Sequence, residues 1–177
     1  MARDTWYRLD NIGKYYSAQA GRRAQTVFRY SATMDAPVDE AALQRALDRT
    51  VGRFPTFSVT LRTGLFWHYL QHVDTVPKVH QEDLPICAPL HAGHTSVLFR
   101  VSRYRDRINF EVSHMVSDGR GSLAFFKELL GAYVEEALCV TGVPESYAGS
   151  PSESSEDSFD KNYEPGKRGA ATLSRAV

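Results

Sequence analysis

Cysteine is nearly absent from this chain. The two present, Cys87 and Cys139, stand far apart, so they make no disulfide framework and fit a reducing interior. Net charge is absent as well. Twenty-one basic residues balance 21 acidic ones, leaving no field to draw the whole chain onto nucleic acid or an anionic membrane. No apolar run approaches the length that spans a bilayer, and the first residues lack the apolar stretch of a signal peptide. The expectation is a cytoplasmic protein with no nucleic-acid partner and no membrane span. Also missing are an internal repeat, a phosphate-cradling glycine loop and a recognisable Ser-His-Asp arrangement. The basic clusters Arg22-Arg23 and Arg100/Arg103/Arg105/Arg107 read as solvated strand and turn positions.

What is present suits one domain. Of 177 residues, 42% are hydrophobic, with nine Phe and nine Tyr, enough for the first 140 or so to bury a core. Residues 1 to 23, with Trp6, Tyr7, Tyr15 and Tyr16, are expected to lie over that domain as an N-terminal segment. From Ala24 to Met34, Phe28, Tyr30, Ala32 and Met34 alternate with Arg29, Ser31 and Thr33, which predicts a half-buried strand. A helix follows. Asp39 is its N-cap, Val38 packs on Leu43 as a staple, and Leu43, Ala46, Leu47 and Thr50/Val51 form one stripe ending near Gly52. Phe54-Pro55 closes it, since a residue before proline is pushed out of helical backbone.

Phe57/Val59/Leu61 and Leu65 to Leu70, parted by Arg62-Thr63-Gly64, predict a β-hairpin, with Phe66, Trp67 and Tyr69 in its core. Residues 73 to 96 contain Pro77, Pro85 and Pro89 and show no sustained period, as in an extended crossover with one short edge strand. Val97/Phe99/Val101 and Ile108/Phe110/Val112 then alternate with polar residues, predicting two strands joined by a turn at Tyr104 to Arg107. His114 to Gly121 reads as a loop. Ser122 to Leu138 reads as a helix with Leu123, Phe126, Leu130, Tyr133, Val134 and Ala137 on its apolar face. After Thr141 the chain turns acidic and serine-rich, so 141–177 is expected to be a disordered tail or an interdomain linker, leaving 1–140 as the folded unit.

The loop carries the chemistry. His114-Met-Val-Ser-Asp118-Gly119 places an imidazole, a carboxylate and a glycine in the order HxxxDG between a strand and an amphipathic helix. An imidazole titrates near neutral pH and is well matched to taking a proton from a hydroxyl. The deprotonated acceptor would attack an acyl thioester through a tetrahedral oxyanion. Asp118 is suited to orient the loop by pairing with an arginine, and Gly119 and Gly121 to let the backbone turn tightly. A plainer alternative makes His114 an ordinary strand-end histidine and Asp118 a helix-entry carboxylate. Cys87, His91 and His94, with His80, read as a surface loop with incidental histidines, because structural zinc needs four ligands; no metal is expected.

At these residues the chain resembles the chloramphenicol acetyltransferase-like superfamily. That group includes alcohol acetyltransferases, plant BAHD acyltransferases, polyketide-associated acyltransferases and peptide-synthetase condensation domains. The nearest resemblance is to bacterial alcohol acetyltransferase-like proteins, in Trp6 to Asn11 (WYRLDN), Val38 to Phe54 (VDEAALQRALDRTVGRF), Gly64 to Trp67 (GLFW) and Val112 to Ser122 (VSHMVSDGRGS). It implies an α+β fold: a mixed β-sheet with flanking helices, forming one half of a two-domain architecture. His114 would be the catalytic base, Asp118 a structural residue salt-bridged away from substrate, and Gly119 the residue that permits the turn. The implied activity is a CoA-dependent O-acyltransferase, with acetyl-CoA as donor and a small alcohol or amine as acceptor. Condensation domains commonly carry a second histidine before the catalytic one. Ser113 stands there, which favours simple acyl transfer over amide-bond condensation. Members of the superfamily are about twice as long, and the donor-binding half with its DFGWG-like motif is not in this sequence. The isolated chain is therefore expected to need a second half-domain or self-association. The alternatives are a non-catalytic or degenerate half-domain, and a condensation-type domain forming amide bonds.

Overall fold

Helix α1, Glu40–Arg53, begins where its cap can work. The Asp39 carboxylate accepts the Ala42 N–H at 2.9 Å, occupying one of the four backbone donors that a helix start leaves open. Ala42, Leu43, Ala46, Leu47, Thr50 and Val51 are all buried, the stripe that the spacing predicts. Pro55 then starts a short 3-10 turn, Pro55–Phe57. This corrects the hairpin reading. Phe57 belongs to the turn rather than to a strand, and its ring enters the core instead of lying along a sheet.

The structure, a computed structural model, describes residues 6–8, 26–63, 65, 68–90 and 97–139. The expectations for the rest of the N-terminal segment, for Gly64, Phe66, Trp67, His91 and His94, and for the 141–177 tail lie outside those residues. Seven strands are described: β1 Trp6–Arg8, β2 Val27–Thr33, β3 Val59–Thr63, β4 His68–His72, β5 His80–Gln81, β6 Phe99–Tyr104 and β7 Arg107–Ser113. The second helix, α2, is Gly119–Leu138. The strands form two sheets, one ordered β1-β4-β3 and the other β2-β7-β6-β5. In the larger sheet β5 runs parallel to β6 and the remaining pairs are antiparallel, so the sheet is mixed, as the sequence implies. β5 is the expected short edge strand.

Register decides what each face holds. Phe28 lies opposite Val112 and Tyr30 opposite Phe110, while Phe99 and Val101 oppose the same two residues from the other side. These side chains share one face because alternate residues of a strand point the same way. Both helices contribute to the core on that face, with Phe125 at its centre. Its ring centroid lies 4.5 Å from Phe57, 4.9 Å from Phe110 and 5.4 Å from both Phe54 and Phe99. Offset and edge-on pairs of this kind add about 0.5–1.5 kcal/mol each beyond the area they bury. Arg45–Glu136, Arg49–Glu135 and Arg53–Glu128 pair along the α1/α2 flank, where solvent screening keeps their contribution small.

The opposite face is polar and nevertheless buried along β6 and β7, at Arg100, Ser102, Asn109, Glu111 and Ser113. Arg100 was expected to be a solvated strand position, yet it is only 5% exposed. It lies directly across from Glu111, which is 1% exposed, and its Nε donates to that carboxylate at 2.7 Å. Arg29 joins the same carboxylate at 2.8 Å, and Glu82 pairs with Arg29 and Arg107. Backbone from the crossover closes over the cluster. The Cys87 N–H donates to Glu111 at 2.7 Å, and the Ala88 carbonyl accepts from Arg100. Alternation shows that two faces differ in polarity but not that the polar one is wet. Ion pairing, with crossover backbone laid over it, makes a buried arginine tolerable here.

Helix α2 departs from its expected face. Its buried residues are Ser122, Ala124, Phe125, Phe126, Leu129, Ala132 and Tyr133, whereas Leu123 is exposed and Leu130 and Val134 are half-buried. Leu123 to Phe126 are four apolar residues in a row, followed by Leu129 and Leu130, so the sequence permits two neighbouring stripes. The helix turns Phe125 and Leu129 inward to fill the aromatic core. Among the described residues, no helix is long and apolar enough to cross a membrane.

Candidate active site

His114 continues the apolar row of β7. Ile108, Phe110 and Val112 point to the core face, and the next position of that parity is His114, at the start of a turn just past the strand end. Its backbone stays tied to the sheet: the His114 N–H donates to the Thr26 carbonyl at 2.8 Å, and Val116 N–H closes the turn on the Ser113 carbonyl at 3.0 Å. Because Phe28 opposes Val112, it is the diagonal neighbour of His114, within reach for an aromatic side chain. The two rings meet with centroids 4.2 Å apart and planes tilted by 35°.

That seat sets the electrostatics. Burial beside Phe28 disfavours the imidazolium and lowers the His114 pKa from its ordinary value, while the Asp118 carboxylate pulls the other way and is outweighed. The seat therefore favours the neutral form of the imidazole. Ser113 belongs to the other row. Its side chain is buried with Asn109 and Glu111, and its hydroxyl accepts the Met115 N–H at 3.2 Å.

Asp118 is the N-cap of α2, and its carboxylate accepts the Gly121 N–H at 2.8 Å. Among the described residues it caps backbone rather than pairing with an arginine, because the loop delivers it to the helix start where open N–H groups wait. The helix also begins earlier than the sequence suggests. Gly119 and Gly121 fall in its first turn, and neither takes the left-handed backbone that a tight glycine turn would use. Smallness matters at Gly121 instead. A β-carbon at Gly121 would clash with Ser117 Oγ and lie 3.3 Å from the capping oxygen of Asp118, whereas one at Gly119 would make an ordinary contact with the Tyr30 hydroxyl at 3.4 Å. Cys87 sits elsewhere, on the polar face, with its thiol pKa raised by burial and by nearby Glu111. His80 is on β5.

Sequence reasoning missed Phe28 and Tyr30. The alternation of β2 placed both on the apolar face, but only the β2–β7 register aligns that face with the HxxxDG loop. The Tyr30 hydroxyl donates to the Gly119 carbonyl at 2.7 Å.

No family model matches the sequence, and no curated protein matches it. Solved structures do. The starter condensation domain of rhizomide synthetase RzmA, as a mutant in complex with C8-CoA, superposes with a TM-score of 0.62 at 11% identity over 79% of this chain and 38% of that one. Polyketide synthase associated protein 5 from Mycobacterium tuberculosis gives 0.58 at 15% identity, over 82% of this chain and 38% of that one. The first condensation domain of the calcium-dependent antibiotic synthetase, in complex with a substrate analogue, gives 0.56 at 21% identity, over 81% and 40%. The fold is one half of the condensation-domain fold. This chain spans 38–40% of the length of those structures.

Within this fold, two outcomes follow from the geometry. First, the His114 imidazole should titrate below about 6.5, and its midpoint can be read by NMR. Because the folded pKa is lowered, the neutral side chain contributes stability that is fully present above about pH 6.5 and is lost as pH falls from there toward the folded value. A midpoint at or above the ordinary value would contradict the buried seat. Second, Asp118→Ala should destabilise the fold by about 1 kcal/mol through the lost cap, whereas Asp118→Asn should be nearly neutral, since asparagine caps as well as aspartate. Asp118→Asn should also lower the His114 midpoint further, because the charge that supports the imidazolium is gone. Equal losses of melting temperature in both variants would argue against a capping role.

Proposed function

We propose that this chain is the base-bearing half of an acyltransferase that takes its acyl group from a CoA thioester, with His114 as the base. The observation that carries this reading is a neutral imidazole fixed at the end of β7 against Phe28, in the HxxxDG order, on half of the condensation-domain fold. In the reaction His114 accepts the proton of an acceptor hydroxyl as its oxygen attacks the thioester carbonyl. The tetrahedral oxyanion collapses, the C–S bond breaks, and the imidazolium returns its proton to the departing thiolate. Asp118 holds the α2 start, and Gly119 and Gly121 leave room for it. Acetyl-CoA is the proposed donor and a small alcohol the acceptor. C8-CoA in the rhizomide synthetase starter domain supports CoA thioesters as a donor class.

A second half-domain, or a second copy of this chain, would complete the site over His114, with 141–177 as the linker leading away from the 1–140 unit. Amide-bond formation is the second reading, favoured by the condensation domains among the structural neighbours. Ser113 supports the first. The position preceding the base carries a hydroxyl engaged by Met115, on the face away from His114. The test is release of free CoA thiol from acetyl-CoA and C8-CoA with short alcohols or amines as acceptors, with the product identified by mass. An ester establishes the first reading and an amide the second. No product from the chain in any assembly state, together with no calorimetric binding of either thioester, would overturn both.

A further inference from the structure

β2 holds the HxxxDG loop at both of its ends. At the first, the Thr26 carbonyl accepts the His114 N–H at 2.8 Å. At the second, the Tyr30 hydroxyl donates to the Gly119 carbonyl at 2.7 Å, one residue beyond the capping Asp118. Between those anchors, on the same face of the strand, Phe28 lies against the imidazole. The Tyr30 ring is itself held in place, stacked at 6.0 Å on Phe126 and edge-on at 5.7 Å to Phe28. Its hydroxyl therefore has a fixed position.

We infer that Tyr30 is a positioning residue for His114, acting through the Gly119 carbonyl and the Asp118 cap, and that Phe28 is the surface on which the imidazole is seated. The role of His114 as base rests on the function proposed above; the positioning does not require turnover to be measured. Two influences meet at the imidazole, and the two β2 residues govern one each. Phe28 keeps water from the ring. Tyr30 fixes the helix start from which the Asp118 carboxylate acts. Tyr30 is also the other titratable group on this face of β2. Arg29 points to the opposite face and pairs with Glu82 and Glu111, and Arg120 on α2 is exposed.

The experiment is an NMR titration of His114 in the folded chain. Tyr30→Phe keeps both ring contacts and removes only the hydroxyl; it should lower the His114 midpoint by a few tenths of a pH unit as Asp118 loosens. In an Asp118→Asn background the same change should leave the midpoint where it is, because the charge being positioned has gone. Phe28→Ala should move the midpoint the other way, toward about 6.5, as water reaches the ring, and Phe28→Leu should restore most of the parent value. A role confined to stability would lower the melting temperature without moving any midpoint. An unmoved midpoint in folded Tyr30→Phe, or an equal shift in both backgrounds, overturns the Tyr30 assignment. Failure of thiol release in the parent with these shifts present would instead count against the acyl-transfer reading alone.

Discussion

His114→Ala is expected to lower thioester-dependent acyl transfer by about 10²–10⁴-fold, the usual contribution of a positioned general base. The fold should survive the change. His114 sits past the end of β7, half-buried, and its N–H to Thr26 is a backbone bond that alanine keeps. The pH dependence supplies an internal control. In the parent, activity should fall as pH drops through the lowered His114 pKa, because protonation removes the base. In His114→Ala the residual rate should lose that acid limb. Thiol release at a near-parental rate from a correctly folded His114→Ala protein would take the base role away from this residue. A lost rate with an unchanged acid limb would show that another group titrates in the reaction.

The sequence disclosed this site unevenly, for physical reasons. Elements governed by local chemistry were legible. Asp39, Val38 and the Leu43–Val51 stripe define α1, and Tyr104 to Arg107 defines the β6–β7 turn, because capping, periodicity and turn formation depend on neighbours in the chain. The HxxxDG order was legible as well, since a motif is a local pattern. What stayed hidden depends on register between strands distant in sequence. Phe28 meets His114, and Tyr30 meets Gly119, only because β2 pairs with β7 as it does. The face of α2 was hidden for another reason: six apolar residues between Leu123 and Leu130 fit more than one stripe. Arg100 was misread because a strand pattern reports polarity, and polarity ordinarily implies water. Here Glu111, Arg29 and the backbone of the crossover take the place of water.

Removing that substitute should produce a large loss of stability. Glu111→Ala is expected to destabilise the fold by about 3–5 kcal/mol, the range for breaking a buried ion pair by deleting one partner. Both carboxylate oxygens are in use: one takes Arg29 and the Cys87 N–H, the other takes Arg100. Their loss leaves the Arg100 guanidinium buried with the Ala88 carbonyl as its remaining acceptor among the described residues, and Arg29 with Glu82. An uncompensated charge at 5% exposure is the costly outcome, more than the missing attraction itself. Arg100→Met combined with Glu111→Leu should recover much of the loss, because apolar groups of similar volume carry no desolvation penalty, and Arg29 retains Glu82. Denaturant unfolding of the parent, each single variant and the double variant closes the cycle. Additive losses would mean that the two residues do not share one buried site. A cost below about 1 kcal/mol for Glu111→Ala would place the pair among solvent-screened surface contacts, where such values are the norm. The expected large coupling instead makes the polar face of the sheet a second, charged core. It fixes the crossover to β7, the strand whose end presents His114.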